Sequence, residues 1–233
     1  MDLIHTSTQT TGKRYAISDI HGCGNTFIAL LEKIALNHND TVYILGDMIS
    51  RGKRSKKTIK TILSLQNEGY SIIPIRGNHE QFIIGGFEQT DIQSFYTLCK
   101  RMKMSWLFED KITMQIKEKY KTFFLNLPFY ISLENRLLSH AGFDFLSNQI
   151  FENTYAMLHQ RSCKHSELVP ESIKIIHGHT PTTLEKIKRS IASDSPIINI
   201  DNGCVYKSSS EQRGNLVCIN IDSLDLFVQK NIE

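Results

Sequence analysis

Six side chains stand just beyond apolar runs and could grip a cation: Asp19, His21, Asp47, Asn78, His140 and His179. All offer oxygen or imidazole nitrogen, and none is a thiol. Asp19 and His21 are two apart in an extended segment and so point the same way, as two ligands of one ion must. A set with one shared carboxylate could hold two divalent cations roughly 3.5 to 4 Å apart, the arrangement that clamps both sides of an in-line displacement at phosphorus. Imidazole, carboxylate and amide oxygen suit Mn, Fe or Zn better than Ca or Cu(I). Arg51 and Arg76 lie in the same turns, where a guanidinium could fork onto an anion. A single histidine after a strand is more often structural than a ligand. The repetition of one grammar, an apolar run followed by Gly, Asp, Asn or His, carries the reading.

The elements that must position these groups are legible as short apolar runs. Residues 42–45 read as a buried strand that stops at Gly46 and presents Asp47, Ser50 and Arg51 on the loop beyond. Residues 15–17 form a strand ahead of Asp19 and His21, followed by a helical pattern over 27–36. A basic run opens a second helical pattern over 53–63; its lysines read as a solvated face, although cations near a helix start oppose the macrodipole and an anion nearby would rationalise them. The strand over 71–75 delivers Arg76-Gly77-Asn78-His79-Glu80, and Pro74 would be awkward in a central ladder. Residues 81–127 read as mostly helical, with Phe95, Trp106, Phe123 and Phe124 as core and no chemistry of their own. Strands over 127–133 and 136–139, paired around Glu134-Asn135, lead to His140-Ala141-Gly142. After a less regular portion, a strand over 173–176 leads to His177-Gly178-His179-Thr180-Pro181. Runs at 196–200 and 216–221 read as further strands, with Asn202-Gly203 a turn signal. An α/β sheet lines the carboxyl ends of its strands along one rim, so these remote residues can converge on one crevice.

With 233 residues the chain can bury a sizeable core. Its formal net charge of +3 is mild and selects no partner class, while remaining compatible with an anionic substrate. The five cysteines are scattered and form no C-x-x-C pair, which argues against a disulfide framework or a thiolate zinc site and for a reducing cytoplasm. The N-terminal stretch lacks the apolar segment of a secretory signal, and no apolar run approaches a membrane span. Basic residues 51–60 lack the interleaved aromatics of a nucleic-acid surface, so no nucleic-acid role is expected. The expected organisation is a frayed tail over 1–13 and a single domain over 14–233 with a helical insertion at about 81–127.

Taken together, Asp19-Ile20-His21-Gly22, Gly46-Asp47 with Arg51-Gly52, Arg76-Gly77-Asn78-His79-Glu80, His140-Ala141-Gly142 and Gly178-His179-Thr180-Pro181 resemble the ordered signature of the calcineurin-like metallophosphoesterases. Within them the set is similar to the phosphoprotein phosphatase family, above all its small bacterial and phage members, over roughly residues 14–228. The resemblance implies a four-layered αββα sandwich of two mixed sheets flanked by helices, its site at strand carboxyl ends. It implies two divalent metal ions, with Asp19 and His21 on one, Asn78, His140 and His179 on the other and Asp47 bridging. A hydroxide between the ions would then attack phosphorus, Arg51 and Arg76 would bind the phosphoryl oxygens, and His79 would protonate the leaving group. Arg161, in a Leu-x-x-Arg context where the family normally has Trp in place of His159, is by the same resemblance the candidate for a third anion contact.

One departure stands out. At the position of Ser50 the family usually has Asp, whose carboxylate holds the imidazole of His79; a hydroxyl supplies no charge, so the acid should be less well poised. Acidic leaving groups should then be expelled more readily than alkoxides. The leading expectation is a serine/threonine, or dual-specificity, protein phosphatase acting on phosphorylated protein or a small phosphoester. The alternative is a dinucleoside polyphosphate hydrolase, whose branch typically has Trp in place of Thr180-Pro181. A non-catalytic phospho-ligand binder is the third reading.

Overall fold

The computed structural model describes residues 11–147, 149–163, 172–206 and 212–233. In chain order these form β1 (Arg14–Ile17), α1 (Gly24–Lys33), β2 (Thr41–Ile44), α2 (Ser55–Asn67), β3 (Ser71–Pro74), α3 (Asn78–Gly86), α4 (Ile92–Arg101) and α5 (Glu118–Leu125). There follow β4 (Tyr130–Ser132), β5 (Arg136–Ser139), α6 (Thr154–His159), β6 (Lys174–His177), α7 (Leu184–Ala192), β7 (Ile197–Asn199), β8 (Asn215–Asn220) and β9 (Leu226–Lys230).

The strands build two mixed sheets, one ordered β3-β2-β1-β8-β9 and the other β4-β5-β6-β7. β1, β2 and β3 are parallel, as are β5, β6 and β7, so each sheet contributes a set of aligned carboxyl ends. Side-chain alternation decides how the sheets stack, because successive residues of a strand face opposite ways. Tyr15, Ile17, Val42 and Ile44 join one core beneath α1, α2 and the segment containing α3 to α5. Ala16, Tyr43 and Leu45 face the other way and share a second core with Ile131, Leu138, Ile176 and Ile198 of the partner sheet. The outer face of that sheet, through Tyr130, Leu137 and Ile175, meets Phe143, Phe145 and Met157 of the α6 region. Both faces of both sheets are therefore covered, which is why the strands read as unbroken apolar runs. This is the four-layered arrangement of two mixed sheets between helices.

Several expectations are refined. Pro74 is accommodated because β3 is an edge strand of its sheet, where a missing donor breaks no inner ladder. The helical stretch over 81–127 resolves into α3, α4, a 3-10 turn at Ser105–Leu107 and α5. Its Phe95, Leu107, Tyr120 and Phe124 are part of the core beneath the first sheet. Asp201-Asn202-Gly203 is not a hairpin turn: it carries the chain from β7 in one sheet to β8 in the other. β9 was not anticipated; its apolar run, Leu226-Phe227-Val228, is only three residues long between Asp225 and Gln229. Residues 1–10 of the expected frayed tail lie outside the described residues.

The helix that follows the first candidate ligand pair is capped from far away. α1 begins after Cys23, which offers its orphan N–H groups no side-chain acceptor. Glu233 supplies one: its Oε1 accepts from the backbone N–H groups of Asn25 and Thr26 at 2.7 and 3.1 Å, and its Oε2 accepts from Arg54 at 2.8 Å. Replacing Glu233 with alanine is expected to lower unfolding stability by about 1–2 kcal/mol, the range of a lost helix cap, as read from urea denaturation.

Candidate metal centre

Five strand ends meet at one place. Asp19 follows β1, Asp47 follows β2, Asn78 and His79 open α3 after β3, His140 follows β5 and His179 follows β6. Among the described residues, two triads bring ligand atoms within 4.8 Å of one another: His21, Asp47 and His79, and Asp47, His140 and His179. Asp47 belongs to both. Its Oδ2 stands 3.5 Å from His21 Nε2, 3.6 Å from His140 Nε2 and 3.8 Å from His79 Nε2. Asn78 Oδ1 and His179 Nδ1 each lie 3.0 Å from His140 Nε2. Asp19 stands beside these triads rather than in one: its Oδ1 accepts from His179 N–H at 3.0 Å, and its Oδ2 is buried without a partner.

The imidazoles are oriented from behind. His140 Nδ1 faces the Leu45 carbonyl at 2.9 Å and His21 Nδ1 faces the Ile49 carbonyl at 3.2 Å. A carbonyl can only accept, so each Nδ1 carries the proton and each Nε2 turns a lone pair inward. Burial holds the pKa values of His140 and His179 down to about 4 and that of His21 well below its ordinary value. Neutral imidazole is the form that binds a cation.

The carboxylates respond the opposite way. Burial pushes Asp47 up to about 7 and Asp201 up to about 6, with the charge of Asp201 adding to the effect on Asp47. Asp19 is pushed well up by burial, then by the charges of Asp201 and Asp47. Three buried carboxylates beside neutral imidazoles form a set that asks for positive charge. The orphaned Asp19 Oδ2 and the inward lone pairs therefore fit divalent cations.

The backbone makes this convergence possible at some strain. Of the ten non-glycine residues with positive φ among the described residues, five are here: His21, Asp47, Ser50, Arg51 and His179. Gly178 is required for close approach, since a Cβ there would lie 2.1 Å from Asp19 Oδ1. Glu80 fixes the loop after β2, its buried carboxylate accepting from the N–H groups of Asp47, Met48, Ile49 and Gly77 at 2.8 to 3.3 Å. That commitment leaves Glu80 unable to replace the missing carboxylate at Ser50.

The remaining candidates fall in different places. Ser50 Oγ is 2.5 Å from His79 Nδ1, so the hydroxyl does contact the imidazole. Arg51 is exposed and donates to the Tyr206 hydroxyl; its charge acts on His21, Asp47 and His79. Arg76 directs its N–H groups to the Leu125 and Leu127 carbonyls and to Gln81, and its guanidinium lies 4.4 Å from the centre of the Phe129 ring. Arg161 is exposed, and its charge reaches His179.

Comparison with known proteins bears on this geometry. The calcineurin-like phosphoesterase profile matches residues 13–219. The chain belongs to that family. Members hydrolyse phosphoesters, and the family generally uses two divalent metals. A curated relative, the asymmetrical bis(5'-nucleosyl)-tetraphosphatase PrpE of Anoxybacillus flavithermus, is 26% identical over 215 residues, covering 82% of this chain and 85% of the relative. A solved structure described as a candidate diadenosine tetraphosphatase superposes with a TM-score of 0.62 at 17% identity, over 94% of each chain. A serine/threonine phosphatase from Saccharomyces cerevisiae with similarity to human phosphatase PP5 gives 0.61 at 15% identity, over 98% of this chain and 83% of the other. These two likenesses establish the fold.

Asp201 escaped the sequence reading, although the signal was present. It follows the apolar run 196–200 just as Asp47 follows 42–45, but the adjoining Asn-Gly pair suggested a turn. Glu80 was visible as an acid three residues past Gly77, a capping position. Its reach to the neighbouring loop was not.

The pKa shifts set an unusual pH dependence for the metal-free protein. A carboxyl raised from about 4 in the unfolded chain to 6 or 7 when buried contributes stability below pH 4 and loses it as pH rises through the folded values. The buried histidines, lowered from about 6.5 to about 4, work the opposite way below pH 6.5, so melting temperature in chelator is expected to fall between about pH 6.5 and 8. Added Mn is expected to raise it most at the alkaline end. Asp201→Asn should flatten the chelated profile.

Proposed function

We propose that this phosphoesterase hydrolyses dinucleoside polyphosphates, cleaving a phosphoanhydride whose leaving group is a nucleoside phosphate. The contact between Ser50 and His79 carries the reading. A hydroxyl holds the imidazole where the family pattern places a carboxylate, so His79 lacks the charged partner that would keep it protonated. Serine departs as an alkoxide and needs that proton, whereas a nucleoside phosphate departs as a stable anion and needs little help. The PrpE relative, aligned over most of both chains, supports the same substrate class.

In this reading Asp19, His21 and Asp47 hold one divalent cation, and Asp47, Asn78, His140 and His179 hold the other. The bound cations would supply an acidified water and neutralise charge on the phosphoryl group. Arg51 stands at the rim with a fork suited to phosphoryl oxygens, and the Arg161 charge is felt at His179. Arg76 would have to exchange its carbonyl partners to join them. His140 and His21, fixed by the Leu45 and Ile49 carbonyls, keep their lone pairs directed inward throughout.

A second reading, hydrolysis of phosphoserine or phosphothreonine in proteins, is favoured by His179-Thr180-Pro181, which resembles the phosphatase branch. A substrate panel on Mn-reconstituted protein separates the two. Diadenosine tetraphosphate is expected to give the highest kcat/KM, and a phosphoserine peptide turned over better would overturn the proposal. Ser50→Asp is expected to raise phosphopeptide turnover by about tenfold or more while changing diadenosine tetraphosphate turnover little. Asp47→Asn should bring p-nitrophenyl phosphate hydrolysis to background; hydrolysis retained in that variant would remove the shared carboxylate from the mechanism.

A further inference from the structure

We propose that Tyr206 is a nucleobase platform, the residue that lets this site select a nucleoside phosphate over a bare phosphoryl group. The inference rests on the dinucleoside polyphosphate reading and assigns a role to a residue outside the metal-binding set.

Tyr206 sits where three loops of the site meet. Its N–H donates to the Gly203 carbonyl at 2.9 Å, on the turn whose Asp201 accepts from Gly203 N–H at 2.7 Å. A Cβ added at Gly203 would lie 3.0 Å from the Tyr206 ring and 3.2 Å from Pro181, which belongs to the His179 loop. The hydroxyl accepts from Arg51, on the Asp47 loop. Tyr206 is thus tied to the Asp201 turn and to the Asp47 loop and is still 44% exposed.

An exposed tyrosine usually keeps its hydroxyl in water and lays its ring on apolar surface. Here the hydroxyl is committed to the guanidinium whose charge is felt at His21, Asp47, His79 and Asp201. The ring is therefore held at a set distance from where phosphoryl oxygens would bind. Arg51 Cζ lies over the ring at 5.5 Å from its centroid, so the guanidinium borders one face, and the remaining exposed surface is left to a ligand. A flat π-face one residue away from a phosphate-binding fork matches a nucleotide, whose base and phosphates are separated by the sugar. Stacking of a base on an aromatic face is worth about tenfold or more in affinity.

The test uses Mn-reconstituted protein hydrolysing diadenosine tetraphosphate, with ADP and inorganic pyrophosphate as competing inhibitors. Wild-type protein is expected to bind ADP about tenfold more tightly than pyrophosphate. Tyr206→Ala should erase that advantage. Tyr206→Phe should keep it while weakening both inhibitors, because Arg51 loses its anchor but the ring remains. Melting temperatures of all three proteins, together with the pyrophosphate constants, report whether each variant is folded and loaded. An ADP advantage that survives in Tyr206→Ala, or is absent in the wild type, overturns the platform while leaving the substrate reading intact. A wild-type protein inactive on diadenosine tetraphosphate but active on phosphopeptides overturns both.

Discussion

The carboxylate of Glu80 is the constraint from which the site is organised. It draws N–H groups from the Asp47 loop and from Gly77 onto one buried acceptor, and so joins the end of β2 to the start of α3. Without it, four backbone donors would be stranded away from water, each at a penalty of about 1–3 kcal/mol. Asp47 and Asn78 reach their positions because the turns that carry them share this anchor. The protein thus devotes one acid wholly to architecture, while Asp19 and Asp47 each bond the backbone through Oδ1 and keep Oδ2 for the cluster.

The strained backbone around it follows the same logic. Left-handed φ at a non-glycine residue costs roughly 1–2 kcal/mol, and five such residues cluster here. Such conformations persist only where surrounding bonds over-determine them. His21 has its N–H bound by the Asp47 carbonyl at 2.8 Å, and His179 has its N–H bound by Asp19. The strain turns side chains inward that a regular strand-to-helix connection would spread apart. Buried carboxylates and neutral imidazoles left facing one another would then be offset by cations rather than by protein groups.

Much of this was legible from residue order. Asp19, His21, Asp47, Asn78, His140 and His179 each follow an apolar run, and the alternation within those runs assigns a face to every buried residue. What the chain order hides is direction. Nothing in Arg76-Gly77-Asn78-His79-Glu80 says that Arg76 turns to the carbonyls at the end of α5 while its neighbours turn to the cluster, because those carbonyls lie some fifty residues on. Asp201 was misread because Asn-Gly is a strong hairpin signal, yet here the pair spans two sheets. Capping of α1 by Glu233 likewise has no local signature.

The cluster lies across the seam between the two sheets. Asp19, Asp47 and Asn78 come from one, His140 and His179 from the other. Along the seam the contacts are apolar, and such contacts are indifferent to small sliding. Directional bonds cross near the rim, from His140 to the Leu45 carbonyl and from His179 N–H to Asp19. Lateral registry of the two halves is consequently pinned at the rim that carries the candidate ligands and, at the opposite end, by the Arg136 guanidinium donating to the Ile221 carbonyl at 2.7 Å. Agents that loosen such interfaces, such as hydrostatic pressure or mild chaotropes, would misalign the halves and silence the protein while its helices and strands were still intact.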